Sequence, residues 1–233
     1  MSSEPLRITW RLRAPMVRPG RPMHADDLLA AMAVARERER EAEDPLAVLD
    51  ALPLDKADYG DEWVYKASTL GFVTESAAWQ VSLIRRIDYA EDALAYDRVF
   101  PGGKKVGKTY TPGTGPWKNF ILPRQLQWME RVVAYVVGDR AEIEALAGRV
   151  TRIGRNRNRG YGTVASCEVT PDEAAAERWM HRALPEPATS DYRPVEGNLR
   201  SPYWDRTAAQ VVYMPRTPLL EPDINPSTEE ALA

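Results

Sequence analysis

The segment from Arg149 to Ala165, with the sequence RVTRIGRNRNRGYGTVA, constrains the fold of this chain most strongly because it separates two different regular patterns. Before it, Asp139 to Val150 space their apolar side chains along one helical face, and Asp139 is suited to cap the helix N-terminus. After it, Tyr161 to Val169 alternate as in a strand. The three glycines of the segment allow positive φ angles. The pattern therefore predicts a helix, a glycine loop and a strand, with the loop at the end of a sheet.

The same loop has the composition of a phosphate-binding site. It carries five arginines and no acidic residue, and the planar guanidinium group binds phosphate oxygens with paired donors. Backbone N–H groups of a glycine loop add neutral donors. The alternative is a solvated arginine turn without a ligand, because surface loops are often charged. We predict that the loop binds a polyanion through these residues: Arg152, Gly154, Arg155, Asn156, Arg157, Asn158, Arg159, Gly160, Tyr161 and Gly162.

The distribution of charge supports a polyanionic partner. The 233-residue chain has a net charge of −3, which by itself argues against nucleic-acid binding. However, Pro5 to Ala25 contains five arginines and no acid, and Arg98 to Met129 contains six cationic residues and no acid. The acids are concentrated in Glu37 to Asp61, in 172–191 and after Glu221. Basic segments on an acidic body indicate one surface that meets a polyanion.

Several classes of protein are excluded by composition. Cys167 is the only cysteine, so disulfides and cysteine-based zinc sites within one chain are excluded, and a reducing cytoplasm is the expected compartment. The longest apolar run, Leu28 to Ala35, is too short to cross a bilayer, and the N-terminus lacks a signal peptide. No metal-ligand spacing stands out, and we predict neither a metal site nor a cofactor.

Periodicity predicts an α+β protein. Leu6 to Arg13 alternates as a half-buried strand, and the run from Ala25 to Glu43 has the apolar spacing of a helix. We predict that Asp44 and Pro45 end this helix. The remaining predicted elements are strands at Glu62–Ser68 and Ala77–Arg86 that form a hairpin, a long loop at Phe100–Asn119, a strand at Leu126–Gly138, a short helix at Glu173–Leu184, a last strand at Ala208–Tyr213, and an extended or disordered tail after Pro215.

The stretch Gly102 to Thr109, GGKKVGKT, matches the phosphate-loop pattern G-x-x-x-x-G-K-[ST]. In nucleotide triphosphatases a helix leaves this loop, so that helix N-terminal amides and the lysine meet at the phosphates. Here Tyr110 to Trp117, YTPGTGPW, forbids that helix with its prolines and glycines. A triphosphatase is therefore a third reading. The favoured interpretation is a basic loop that contacts nucleic-acid backbone through Lys104, Lys105 and Lys108.

His24 supports a second reading as an enzyme. Histidine is the usual proton carrier at neutral pH, and a metal-independent endoribonuclease needs such a group beside its cations. His181 is the only other histidine, and the sequence does not place the two together. The alternative is that His24 caps the helix or is held by a hydrogen bond.

At this point the chain resembles a known family, the RAMP proteins of CRISPR effector complexes. The resemblance lies in IGRNRNRGYGTV (Ile153 to Val164) behind a helix and before a strand, and in MHADDLLAAMAVA (Met23 to Ala35) after a first strand. The segments GPWKNFILP (Gly115 to Pro123) and SPYWDR (Ser201 to Arg206) look most like the Cas-five-type subunit of type IV complexes. That resemblance implies a subunit that caps the 5′ handle of the crRNA without cutting it, although some relatives in other types cleave RNA.

The resemblance also implies the architecture and the partners. It implies a ferredoxin-like β-α-β-β-α-β core in 1–169 with a basic insertion around 98–125, a C-terminal extension at 170–215 that packs on this core, and an acidic tail at 216–233. The expected partners are crRNA, the backbone and large or small subunits of the complex, and target DNA through the complex. Asn156, Asn158 and Tyr161 are the candidates for contacts with bases, by amide edges or stacking.

Overall fold

The computed structural model describes residues 3–17, 19–85 and 120–219. Its strands are β1 (Ser3–Leu12), β2 (Met16–Val17), β3 (Lys56–Tyr59), β4 (Glu62–Tyr65), β5 (Gly71–Thr74), β6 (Trp79–Arg85), β7 (Phe120–Gln127), β8 (Met129–Asp139), β9 (Val164–Pro171), β10 (Tyr192–Gly197) and β11 (Gln210–Pro215). Its helices are α1 (Ala25–Glu39), α2 (Arg140–Ala147) and α3 (Ala175–Arg178). The α+β class predicted from periodicity is confirmed.

The central element is a four-stranded sheet with the order β5-β8-β1-β9. All three pairings are antiparallel, and β1 lies in the middle, between β8 and β9. The alternation predicted for β1 is present, since Leu6, Ile8 and Trp10 are fully buried. Helix α1 follows β1 along the chain, and α2 follows β8 directly.

One hydrophobic core joins the sheet to both long helices. It contains Ile8 of β1, Leu29 of α1 and Leu146 of α2, all fully buried. The indole N–H of Trp10 donates to the carbonyl of Ala147 at 3.1 Å, which satisfies the polar atom of a buried aromatic residue at the end of α2. The side chain of Asp139 accepts a hydrogen bond from the backbone of Glu142 at 3.1 Å, so the predicted N-cap is confirmed.

Helix α1 ends at Glu39, four residues earlier than predicted. The reason is local, because Glu41 adopts a left-handed conformation with φ of 58°. The backbone N–H of Ala42 then donates to the carbonyl of Glu37 at 3.1 Å, and that of Glu41 donates to Arg38 at 3.1 Å. These two bonds form the terminating motif that usually contains glycine. Asp44 and Pro45 are therefore not needed to end the helix.

The hairpin predicted between Glu62–Ser68 and Ala77–Arg86 is wrong. β4 pairs with β3 instead, and the two strands are joined by a two-residue turn at Gly60 and Asp61. Gly60 has a φ of 71°, which such tight turns require and which glycine supplies without strain. The predicted connection from Leu46 to Gly60 thus contains a strand that its mixed composition concealed.

Other boundaries differ from the predictions. The predicted strand Leu126–Gly138 is divided between β7 and β8, the predicted strand Tyr161–Val169 begins at Val164, and the predicted helix Glu173–Leu184 is helical only over Ala175–Arg178. The proline-broken stretch after Leu184 contains β10, which pairs with β11. A second hydrophobic cluster joins these strands to β4 through Val64, Trp179, Leu184, Leu199 and Val212.

The chain divides into two compact units, one of Met1–Ala77 with Gln127–Ala233 and one of Ala78–Leu126. The second unit contains β6 and β7, which pair in antiparallel register from Trp79 opposite Leu126 to Arg85 opposite Phe120. The predicted basic loop Phe100–Asn119, with Lys104, Lys105, Lys108 and the phosphate-loop match, lies outside the described residues.

Candidate nucleic-acid interface

The glycine loop between α2 and β9 is anchored at both ends. The N–H of Ile153 donates to the carbonyl of Gly162 at 2.9 Å, which closes the base of the loop, and the N–H of Gly162 donates to Pro15 at 3.0 Å. Arg155 forms a β-bridge with Val17. The side chain of Ile153 is fully buried. The loop is therefore fastened to the chain that follows β1, and its tip is held on a rigid base.

Two of its glycines are required by space as well as by conformation. A Cβ atom at Gly162, where φ is 62°, would lie on top of the Ile153 carbonyl oxygen. A Cβ atom at Gly154, where φ is 96°, would lie 2.6 Å from the Met16 side chain. Any other residue at these positions forces the backbone to move, because real Cβ atoms do not approach so closely. The prediction that these glycines permit a close backbone approach is confirmed.

The tip of the loop is a single 3-10 turn, Arg157–Arg159. Asn156 before it and Gly160 after it adopt left-handed conformations, with φ of 56° and 86°. Asparagine and glycine are the residues that tolerate this region best. The turn projects Arg157 and Arg159 into solvent, where both side chains are exposed.

The loop and the chain that follows β1 together present a basic surface. We call it the basic loop surface, and its six exposed arginines are Arg13, Arg21, Arg152, Arg155, Arg157 and Arg159. Within the described part of the chain, none of the six forms a side-chain hydrogen bond or ion pair. In contrast, Arg36 pairs with Glu142 at 2.9 Å. The charges of the basic loop surface are thus left to attract an external anion.

The remaining predicted contact residues have different exposures. Asn158 is exposed, whereas Asn156 and Tyr161 are half-buried. The interpretation that Tyr161 has room to be fully exposed is therefore wrong, although its ring still reaches the surface. Thr163 fixes the strand side of the loop, because its hydroxyl donates to the carbonyl of Gly160 at 2.7 Å.

A polar turn at Asn198–Thr207 lies against the start of α1. The hydroxyl of Ser201 donates to the carboxylate of Asp27 at 3.0 Å. Burial raises the pKa of Asp27, and the positive charge of Arg157 partly offsets this effect. Arg157 at the loop tip is thus close enough to act on the carboxylate that Ser201 binds. The structure brings together two segments that are about forty residues apart in the sequence.

Behind this turn lies a buried polar cluster of Asp26, Arg182 and Tyr203. Both Asp26 and Arg182 are fully buried, and their side chains meet at 3.3 Å. The Tyr203 hydroxyl accepts a hydrogen bond from Arg182 at 2.7 Å and donates to the Asp26 carboxylate at 3.0 Å. The Arg182 guanidinium also donates to the carbonyls of Tyr65, Ala67 and Leu199. This cluster joins α1, the end of β4 and the Asn198–Thr207 turn.

His24 lies inside the protein, next to this cluster. Only 6% of the residue is exposed, and its ring is stacked on that of Tyr203 with a centroid distance of 4.3 Å. The ring nitrogen Nδ1 has no hydrogen-bond partner, and the side chain does not cap α1. Burial, together with the charges of Arg182 and His181, holds the pKa of His24 well below its ordinary value. Both readings that made His24 a cap or a hydrogen-bonded residue are therefore wrong.

The second histidine is near the first. The N–H of Thr69 donates to the His181 carbonyl at 2.7 Å, and Thr69 also forms a β-bridge with His24. In the ring of His181, Nδ1 lies 2.7 Å from the Thr69 hydroxyl and Nε2 lies 2.9 Å from the Thr217 carbonyl. Because a carbonyl can only accept, Nε2 carries the proton and Nδ1 accepts from Thr69. Both nitrogens of His181 are thus engaged.

The buried His24 should make the protein less stable in acid. The folded state binds fewer protons than the unfolded chain once the pH is below the ordinary histidine pKa of 6.5. The free energy of unfolding should therefore be retained above that pH and fall below it, by up to about 1.4 kcal/mol per pH unit. The change His24→Phe keeps a ring on Tyr203 but binds no proton. In urea titrations at several pH values it should flatten the acid loss, leaving the smaller share of His181, whose pKa is also lowered. An identical pH dependence in both proteins would contradict this assignment.

Two further classes of site were searched for in the described residues. No group of three or more His, Cys, Asp or Glu side chains there is arranged to hold a metal ion. No described helix is long and apolar enough to cross a membrane. Cys167 lies on β9, and burial raises the pKa of its thiol to about 12.

Sequence reasoning found the loop and missed the residues that support it. Asp26 and Asp27 were interpreted as ordinary acids at a helix start, and Arg182 lies in a segment without a recognisable pattern. The segment SPYWDR was noted only for its resemblance to a family, although it contains Ser201, Tyr203 and the exposed Trp204. An aromatic residue within a polar turn was the one signal that could have drawn attention to Trp204.

Comparison with known families identifies this arrangement. The family described as CRISPR type IV associated protein Csf3 matches residues 4–215, which include the glycine loop, the buried cluster and the Asn198–Thr207 turn. The predicted resemblance to a subunit of type IV CRISPR complexes is thereby confirmed. No curated protein matches the sequence.

Proposed function

Because the chain belongs to the family of CRISPR type IV associated protein Csf3, we propose that it binds the crRNA of a type IV effector complex and caps its 5′ handle. The observation that carries this proposal is the basic loop surface. Its exposed arginines are unpaired within the described residues and lie on an anchored glycine loop. RNA supplies the matching array of phosphates.

The arrangement of the sheet supports a ferredoxin-like, RAMP-type core. That fold has four antiparallel strands in the order 4-1-3-2, with a helix after the first strand and another after the third. Here the strands β1, β5, β8 and β9, counted as one to four, lie in the order β9-β1-β8-β5. Helices α1 and α2 follow β1 and β8. On this proposal the glycine loop follows the second core helix, as in the RAMP proteins.

The loop would hold the RNA mainly by its backbone. The arginines contact phosphates, and these contacts give affinity and register without reading the sequence. Asn158 at the exposed tip and the half-buried Asn156 and Tyr161 supply the groups that could contact bases. Lys104, Lys105 and Lys108 would add phosphate contacts from the insertion.

The chain works within a larger assembly. As a type IV CRISPR subunit it acts together with other subunits of the complex. We propose that crRNA is its direct ligand, that target DNA is reached only through the complex, and that the assembly works in the cytoplasm. No cofactor or metal is required for this role, because phosphates and arginines are sufficient.

We propose further that the protein binds RNA without cutting it. Metal-independent cleavage needs one group to take the 2′-hydroxyl proton and another to protonate the leaving 5′-oxygen. His24 is buried against Tyr203, and both ring nitrogens of His181 are engaged. Neither histidine offers a free ring nitrogen at the surface.

The test is to incubate the purified full chain with RNA of its own repeat sequence in EDTA and to compare it with His24→Phe. Both proteins should bind the RNA and leave it intact. Added ATP should also remain unhydrolysed, in the wild type as in Lys108→Ala. Specific cleavage by the wild type that is lost in His24→Phe would establish the endoribonuclease instead. ATP turnover that is lost in Lys108→Ala would restore the triphosphatase reading.

A further inference from the structure

Trp204 is the most exposed of the large apolar side chains in the described residues. Its exposed fraction is 81%, compared with 64% for Val211 and 63% for Ile121. The neighbouring residues Arg206 and Thr207 are exposed and polar. An indole in such surroundings offers a flat apolar face with no protein group packed over it.

The turn that carries Trp204 is fixed on both sides of it. The amide of Asn198, which is buried, donates to the carbonyls of Pro202 and Asp205 at 3.1 and 2.8 Å. On one side of the indole, Tyr203 is held by Asp26 and Arg182. On the other side, the Asp205 carboxylate accepts from the N–H and hydroxyl of Thr207 at 2.9 and 2.7 Å. Trp204 is thus presented outward on a rigid support, so that little conformational entropy is lost when it binds.

The turn lies close to the basic loop surface. A Cβ atom at Gly20 would lie 3.5 Å from the guanidinium nitrogens of Arg155, so the loop contacts the chain there. Four residues later that chain reaches His24, on which Tyr203 stacks. Four residues span at most about 14 Å when fully extended. Ser201 in the same turn binds Asp27 at 3.0 Å, on the side of α1 that Arg157 approaches.

We propose that Trp204 is a stacking platform for an unpaired base of the RNA that the basic loop surface holds by its phosphates. This inference rests on the proposed function. An aromatic face beside a row of cations is the combination that binds single strands, because every base has a π-face and every nucleotide has a phosphate. The polar neighbours of the indole favour a base over a protein partner, since tryptophans at protein interfaces lie within desolvated pockets.

The experiment compares the full-length wild type with Trp204→Ala, Trp204→Phe and the control Val211→Ala. Val211 is a second exposed apolar residue, and its truncation tests for a general surface effect. The probes are single-stranded RNA of the repeat sequence and the same oligomer with single abasic sites placed in turn. Affinity is measured over a range of salt concentrations.

Trp204→Ala should bind the intact RNA about tenfold more weakly, the loss typical of one stacked base. Trp204→Phe should recover most of this loss, and Val211→Ala should match the wild type. The log–log salt slope should stay unchanged in all of them, because the indole carries no charge. At one abasic position the wild type and Trp204→Ala should bind equally.

Three outcomes would overturn the proposal. Equal affinity of the wild type and Trp204→Ala for intact RNA would show that no base stacks there, while the proposed function would stand. Equal RNA affinity combined with loss of a co-purifying subunit from Trp204→Ala would make the turn a protein contact. If the wild type binds no RNA at all, the proposed function fails first and this inference fails with it.

Discussion

Replacing Arg182 with methionine is expected to destabilise the folded protein by about 3–5 kcal/mol, because the change leaves the fully buried carboxylate of Asp26 without its cation. Arg182 also donates to the carbonyls of Tyr65, Ala67 and Leu199. These acceptors would lose their donor without gaining contact with water. The measurement is the free energy of unfolding from urea titration.

Two comparisons identify the cause of that loss. The double change Asp26→Leu with Arg182→Met removes both charges, and it should be more stable than Arg182→Met alone. The control Arg193→Met changes an exposed arginine of β10 and should alter stability by no more than about 0.5 kcal/mol. A loss of less than about 1 kcal/mol in Arg182→Met would show that the buried pair does not hold the start of α1 to the Asn198–Thr207 turn.

Local patterns were sufficient to predict the centre of the fold. Alternating apolar residues located β1, the N-cap at Asp139 located the start of α2, and the glycines located the loop before β9. Each of these signals depends on neighbours in the sequence. The hairpin of β4 with β6 was predicted wrongly because strand pairing depends on which partner is available. A tight turn at Gly60 and Asp61 gave β4 a nearer partner.

The binding surface was predictable as a composition and not as an arrangement. The row of arginines and glycines indicated phosphate binding, and the exposed arginines agree with it. No local pattern indicated that Arg182, 156 residues after Asp26, would pair with it in the core. Likewise, the contact of Ser201 with Asp27 depends on tertiary structure. The rigid support of Trp204 could therefore be recognised only after the fold was known.

The largest effect on RNA binding is expected when Arg155, Arg157 and Arg159 are changed to alanine together. Each should lose one phosphate contact, and each lost contact on a single strand should lower the log–log salt slope by about 0.7. The slope should thus fall by about two units. The fold should be unaffected, because these side chains are exposed and make no hydrogen bond or ion pair within the described residues.

A matched variant separates the loop from simple charge. Arg38, Arg193 and Arg216 are also exposed arginines, on or beside other elements. Changing these three to alanine removes the same total charge. If long-range attraction alone held the RNA, both variants would weaken binding alike. If the loop contacts the phosphates, only the loop variant should lose slope.

The most direct test of the account is therefore a salt titration of RNA binding by the wild type, the loop variant and the matched variant, from about 50 to 200 mM salt. The account predicts a slope lower by about two units in the loop variant and an unchanged slope in the matched variant. An unchanged affinity and slope in the loop variant would place the basic loop surface away from the RNA and contradict the account.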